Sequence, residues 1–291
     1  YEVGVRLVGS EMCIRDSVSC NSCHGLDTFG VDNKVVSNGH RDQLGGRNSP
    51  TVYNAAGHIA QFWDGRAADV EAQAKAPVLN PLEMAMPDEA AVLEVLNSIP
   101  EYVQAFAAAF PDESDAVTYD NFANAIGAFE RRLTTPGRWD DFLAGDQSAL
   151  NKAEQQGLEA FLDVGCASCH MGPYIGGAMY QKLGLIKPWP DQSDLGRFDV
   201  TGQEYDKLLF KVPSLRNIAK TGPYLHDGSV ATLDETVSLM AEYQLGRTLE
   251  RAQVESIVIF LQALTGEVPE AYIAQPQLPA SSATTPAADP L

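Results

Sequence analysis

Two copies of one five-residue motif constrain this chain more than any other feature. Cys20-Asn21-Ser22-Cys23-His24 opens the first half, and Cys166-Ala167-Ser168-Cys169-His170 opens a second half. Two cysteines separated by two residues and followed at once by histidine form the pattern of a c-type haem attachment site. Each thiol adds to a haem vinyl group, and the adjacent imidazole is held against the iron. A zinc site would need further ligands at suitable spacing, yet the chain has 5 histidines and no second cysteine pair in either half. A redox dithiol would want a strand–helix setting that the sequence lacks.

At 291 residues there is room for two domains, each able to bury a core. The chain is 45% hydrophobic and 20% charged, the balance of a globular protein. No apolar run approaches the ~18 residues of a membrane span. Lys and Arg number 20 against 39 Asp and Glu, a net charge of -19. Nucleic-acid phosphates want the opposite sign. An acidic surface steers a basic partner or simply keeps the protein soluble. The fifth cysteine, Cys13, lies in "LVGSEMCIRDS" (7–17), which has no helical or strand period. Residues 1–17 are therefore read as a non-native leader, and Cys13 is given no functional weight. No signal peptide is visible at Tyr1.

Apolar residues fall on one helical face at Phe122, Ile126, Phe129 and Leu133, and again at Val254, Ile257, Val258, Leu261 and Leu264. Asn151 and Glu154 predict a capping box for a helix running to Leu162, just ahead of Cys166. Strand signals are weak. Each half thus has a Cys-Cys-His site, a loop-rich middle and a closing amphipathic helix. "LTTPGRWDDFLAGD" (133–146) reads as a hinge between them. The expected fold is mainly α with little β: two cytochrome c-like haem domains from an internal duplication, 18–134 and 135–272. The Pro-, Ala-, Ser- and Thr-rich segment 273–291 is expected to be a disordered tail.

The middles also match without gaps. "PTVYNAAGHIAQFWDG" from Pro50 aligns with "PSLRNIAKTGPYLHDG" from Pro213, pairing Asn54 with Asn217 and Asp64-Gly65 with Asp227-Gly228. The sixth position on each iron decides the job, since methionine closes the iron and raises its potential. Met240 is the candidate in the second half; Met171 is too close to His170. In the same register Met240 falls opposite Pro77, so the first half lacks the matching methionine. Met84 and Met86 lie nearby. His40, in a polar glycine-containing loop, is the better candidate for the first iron, with His58 as competitor. Trp63 stands opposite His226. Glu83 follows a proline-fixed turn, where a carboxylate over an open haem could move protons.

These residues carry a likeness. "RNSPTVYNAAGHIAQFWDGRAADVEAQAKAPVLNPLEM" and "PSLRNIAKTGPYLHDGSVATLDETVSLM" resemble the bacterial dihaem cytochrome c peroxidases, over roughly 18 to 270. The resemblance implies a periplasmic, mostly helical homodimer with two covalently bound haem c groups per subunit. It implies reduction of hydrogen peroxide to water with electrons from a small cytochrome c or a cupredoxin. At matching positions it implies His24 as proximal ligand of the low-potential, peroxidatic haem and His40 as its removable distal ligand. Glu83, as general acid–base, and Gln73 would line the opened peroxide pocket, with Trp63 between the haems. His170 and Met240 would ligate the high-potential haem. Asn48, Thr221 and the Pro223 carbonyl would hold a calcium ion. Residues 1–17 depart from the family's segment before the first haem. Two rival readings remain. One is a dihaem electron carrier with both irons closed. The other is the related dihaem oxidase class that matures a tryptophan-derived cofactor, which has tyrosine where Met240 stands; Tyr243 is close by.

Overall fold

The computed structural model describes residues 18–287. The expected leader with Cys13, and the last four residues of the expected tail, lie outside the described residues. Helix α1 (Cys20–Cys23) carries the first motif, followed by α2 (Val70–Leu79), α3 (Glu89–Ser98), α4 (Pro100–Ala109) and α5 (Tyr119–Glu130). The second half contains α6 (Arg138–Leu143), α7 (Lys152–Val164), β1 (Tyr180–Lys182), α8 (Phe198–Thr201) and β2 (Leu209–Lys211). It closes with α9 (Leu233–Leu245), α10 (Arg251–Ala263) and α11 (Glu270–Ile273). The fold is mainly helical. β1 and β2 pair antiparallel, with Tyr180 opposite Lys211, in the one sheet among the described residues.

The helices start where side chains satisfy free backbone donors. Asp69 Oδ1 accepts from Ala72 N at 2.7 Å and Thr118 Oγ1 from Asn121 N at 3.1 Å. The predicted capping box forms: Asn151 Oδ1 accepts from Glu154 N at 3.1 Å, and Glu154 Oε2 from Asn151 N at 2.8 Å. The helix it starts runs two residues past Leu162, to Val164, where Gly165 turns left-handed (φ 100°) and delivers the chain to Cys166.

Each half has its own core. Phe106, Phe122, Val92 and Leu96 are buried in the first, Phe260, Ile257, Phe161 and Leu264 in the second. α7 and α10 approach closely at Gly157, where a Cβ would stand 2.2 Å from Ser256 O. That contact needs glycine.

The two halves share local geometry in the register read from sequence. Asn54 and Asn217 both sit at φ 60°, and their N–H groups donate to Leu133 O and Leu264 O, just beyond the ends of the two closing helices. Phe62 and Leu225 repeat at φ 65° and 71°, Gly65 and Gly228 at φ 67° and 66°. The bridge Gln61–Ala67 recurs as Tyr224–Val230.

The stretch read as a hinge is not open. It contains α6, and Thr135 within it is 1% exposed. The Thr135 hydroxyl accepts from Asn54 Nδ2 and from Asn217 Nδ2, each at 2.9 Å. The paired asparagines thus meet on one hydroxyl. Beyond α10 the chain returns to the first half. Tyr272 stacks on Phe129 at 5.1 Å and its hydroxyl donates to Phe129 O at 3.1 Å. Within the expected tail no helix or strand forms from 274 to 287, though Ser98 Oγ donates to Thr285 Oγ1 at 2.8 Å. No helix among the described residues is long and apolar enough to cross a membrane.

Replacing Thr135 by valine keeps the shape and removes the acceptor from two buried amides. At ~1–3 kcal/mol per unsatisfied buried group, Thr135→Val lowers the unfolding free energy by roughly 2–6 kcal/mol, while Thr135→Ser retains most of it. Denaturant unfolding of the holoprotein measures this, and a loss under ~1 kcal/mol would contradict the shared-hydroxyl account.

Candidate functional site

Both motifs open on one cavity of about 590 Å3 whose wall is drawn from both halves. Cys20, Cys23 and His24 line it from the first half; Cys166, Cys169 and His170 from the second. No disulfide joins the four motif cysteines. Burial drives the Cys166 thiol up to about 11. Burial also lowers both motif histidines, His170 to about 4, so each imidazole is neutral and able to ligate a metal. His24 Nδ1 lies 3.3 Å from Gly30 O, the contact that fixes a metal-binding histidine's tautomer and leaves Nε2 for the metal. His170 Nδ1 is buried without a partner. Neutral imidazoles, thiols outside any disulfide and a large, mostly apolar cavity fit a haem at each motif.

The other walls come from α2 and α9, which start at the matching caps Asp69 and Thr232. Met240 on α9 lines the cavity, and so does Pro77 at the matching place on α2. The proline side chain offers no ligating atom. Met84 lines the cavity and Met86 is buried in the core. Tyr243 faces elsewhere: its ring meets Trp189 edge-on at 4.8 Å.

Gln73 and Glu83 share this wall. The Glu83 loop is built by Asn80, whose Oδ1 accepts from Leu82 N at 3.0 Å and whose Nδ2 donates to Glu83 Oε1 at 2.6 Å. Burial raises the Glu83 carboxyl above its ordinary range, and the Asn80 bond partly offsets that. His40 is tied to the same loop through its backbone, His40 N donating to Glu83 O at 2.7 Å. The two loops touch at Gly39, where a Cβ would stand 2.0 Å from Leu82 O. His40 is not part of the cavity wall. His58, its competitor, lies at the boundary of the halves, with Nδ1 3.4 Å from Lys211 Nζ and burial lowering it to about 3.

The boundary itself is an exchange of backbone bonds. Asn48 N donates to His226 O and Lys211 N donates to Trp63 O, both at 2.7 Å. Trp63 Nε1 adds a bond to Asn48 O at 2.9 Å. Asn48 Nδ2 donates to Lys34 O and Val35 O, which leaves Oδ1 as its free oxygen. Asn48, Thr221 and Pro223 all line the cavity. Nearby, Arg47 donates to Asp194 across the boundary, two bonds of 2.7 Å, and to Asp64 at 2.5 Å. These carboxylates hold its guanidinium above its usual value against the opposing cost of burial.

Sequence reasoning missed Glu130. It ends the apolar face of α5, 9% exposed, and lines the cavity. The signal was an acid at a position where the helical period wants an apolar residue. Burial, with Glu71 adding repulsion, raises its carboxyl to about 8. Between pH ~4.5 and ~8 the unfolded carboxyl is ionised while the folded one keeps its proton, so stability falls as pH rises through that window. At 1.36 kcal/mol per unit the loss reaches at most roughly 5 kcal/mol. Glu130→Gln removes the loss, so its stability gain over wild type is larger at pH 8 than at pH 5. Unfolding at the two pH values checks this; equal gains would place an ionised Glu130 in the folded protein.

Residues 9–148 match the family model described as di-haem cytochrome c peroxidase. The chain is 46% identical over 275 residues to cytochrome c551 peroxidase of Nitrosomonas europaea, covering 94% of this chain and 81% of that protein. It is 46% identical over 292 residues to cytochrome c551 peroxidase of Pseudomonas aeruginosa, covering 98% and 83%. Among solved structures, a MauG-like protein associated with microbial copper homeostasis superposes with a TM-score of 0.82 at 26% identity, over 95% of this chain and 92% of that one. With two haem-type motifs facing one cavity and near-full-length likeness to two such peroxidases, this chain belongs to the di-haem cytochrome c peroxidase family.

Proposed function

We propose that this chain reduces hydrogen peroxide to two molecules of water, taking up two electrons and two protons, and that its two haems divide the work. The observation that carries this reading is the asymmetry of the cavity. Met240 of the second half lines it where the first half has Pro77, and Glu83 and Gln73 of the first half join the wall. His24 would hold a haem in the first half that would supply cleavage of the O–O bond, and His170 and Met240 would hold one in the second half that would supply electron transfer.

The chain's own residues supply the rest. Glu83 takes the proton from the near oxygen of peroxide and delivers it to the far one, so that water leaves. Its raised affinity for a proton suits that exchange. Gln73 orients the peroxide. Trp63, bonded to both halves, lies on the path between the haems. His40 is the removable ligand of the first iron, and its loop moves with the Glu83 loop to which it is bonded. The arrangement described above, with Glu83 and Gln73 in the wall and His40 outside it, fits the open form. Both haems are covalently attached, through Cys20 and Cys23 and through Cys166 and Cys169. Asn48 Oδ1, Thr221 and the Pro223 carbonyl hold a calcium ion between the halves, residues 18–134 and 135–272, which arose by duplication. The net charge of -19 suits a basic donor, a small cytochrome c or a cupredoxin. A periplasmic homodimer completes the reading. Met240 in the wall, with Tyr243 turned to Trp189, favours the peroxidase over the cofactor-maturing oxidase class.

Turnover of peroxide with a reduced small cytochrome c tests the reading. Glu83→Gln lowers it about 10²–10⁴-fold with haem content unchanged. A Glu83→Gln enzyme as fast as wild type would remove Glu83 from the mechanism. Pre-reduction by one electron accelerates the wild-type enzyme; equal rates before and after would discard the His40 gate and keep the peroxidase.

A further inference from the structure

The exchange of backbone bonds at the boundary is reciprocal, Asn48 bonding His226 as Lys211 bonds Trp63, so in the register of the two halves position 211 corresponds to position 48, as His226 corresponds to Trp63. In the first half the position holds Asn48, whose free Oδ1 belongs to the proposed calcium site. In the second half it holds Lys211, 7% exposed and part of the wall of the shared cavity. Lys211 Nζ donates to Ala60 O at 2.8 Å and lies 3.4 Å from His58 Nδ1. An ammonium has three N–H donors, and these two acceptors leave one over. Among the described residues no carboxylate oxygen comes within 4.0 Å of it. Asp64 acts on it from farther off and is bonded to Arg47 and Arg66. Burial lowers Lys211 only to about 8, so it carries its charge at neutral pH. A buried cation without a counter-ion is costly, and such groups are found paired. The described residues supply no paired carboxylate; the cavity it faces is where a haem brings carboxylates of its own.

We propose that Lys211 is the second half's built-in counterpart of the cation site at Asn48, and that its remaining N–H holds an anionic haem propionate in the shared cavity. This rests on the two-haem reading above. His58 is a positioning residue: its Nδ1 aims the ammonium, and its ring is set by the edge contact with Tyr174 at 5.8 Å and by Gly177, which has no room for a side chain there. A fixed positive charge on a propionate favours the reduced iron, which carries one positive charge fewer, so Lys211 raises the potential of the haem it touches.

The test measures the reduction potentials of both haems by spectroelectrochemistry, with haem counted in each sample, in wild type, Lys211→Met, Lys211→Gln and Lys211→Arg. The neutral variants lower one potential by about 59 mV or more, a tenfold change in its oxidation equilibrium, and leave the other within a third of that. Lys211→Arg keeps the wild-type value. Two haems per chain with both potentials unmoved in the neutral variants would overturn the role of Lys211 and leave the peroxidase standing. Fewer than two haems in the wild-type protein would overturn the two-haem reading itself. Should neither neutral variant assemble haem, the propionate bending bands in the resonance Raman spectrum of the wild-type enzyme decide. A shift on deuterium exchange is expected from the Lys211 hydrogen bond, and its absence on both haems overturns the proposal.

Discussion

The structure depends on a pair of crossed backbone hydrogen bonds, Asn48 N to His226 O and Lys211 N to Trp63 O. Each half gives one donor and one acceptor, so neither half completes the boundary alone. Around this pair lie the Arg47–Asp194 ion pair and the Thr135 hydroxyl shared by Asn54 and Asn217. Together they close the two motif-bearing halves over a single cavity rather than two separate ones. Electron transfer between two haems needs that closeness, and so does any change at one haem that is felt at the other.

On this nearly symmetric backbone the chemistry is asymmetric, and side chains alone make it so. Matching positions hold Pro77 and Met240, Trp63 and His226, Asn48 and Lys211. The backbone angles at Asn54 and Asn217, or at Gly65 and Gly228, differ by a degree or less in φ. The two halves therefore share these turns, and on the reading proposed above the residue at each matching position decides whether an iron is closed, a metal ion is bound or a fixed charge is supplied.

Much of this was legible in the sequence because it is local or periodic. The motifs, the Asn151–Glu154 capping box, the apolar faces of the closing helices and the ungapped register all follow from short-range rules. What escaped the reading depends on contacts between distant residues. Arg47 and Asp194 are 147 positions apart, and Lys211 and Ala60 are 151 apart, with no pattern to join them. The 133–146 stretch has the Thr, Pro and Gly of a hinge, yet its threonine is buried because two asparagines converge on it. The placement of His40 outside the cavity wall turns on how its loop leans on Leu82 and Glu83, which composition does not encode.

The return of the chain after α10 bears on how the protein is made. Val268, Tyr272 and Ile273 pack against Tyr53, Phe129 and Leu133, and Arg132 stacks over the Tyr272 ring at 4.2 Å. Phe129 and Leu133 are themselves cavity wall. During synthesis the first half is therefore left without its outer brace until residues 268–273 have emerged. The wall at Phe129 is thus braced by a tyrosine 143 positions later, so the first half reaches its final packing only after the second has been made.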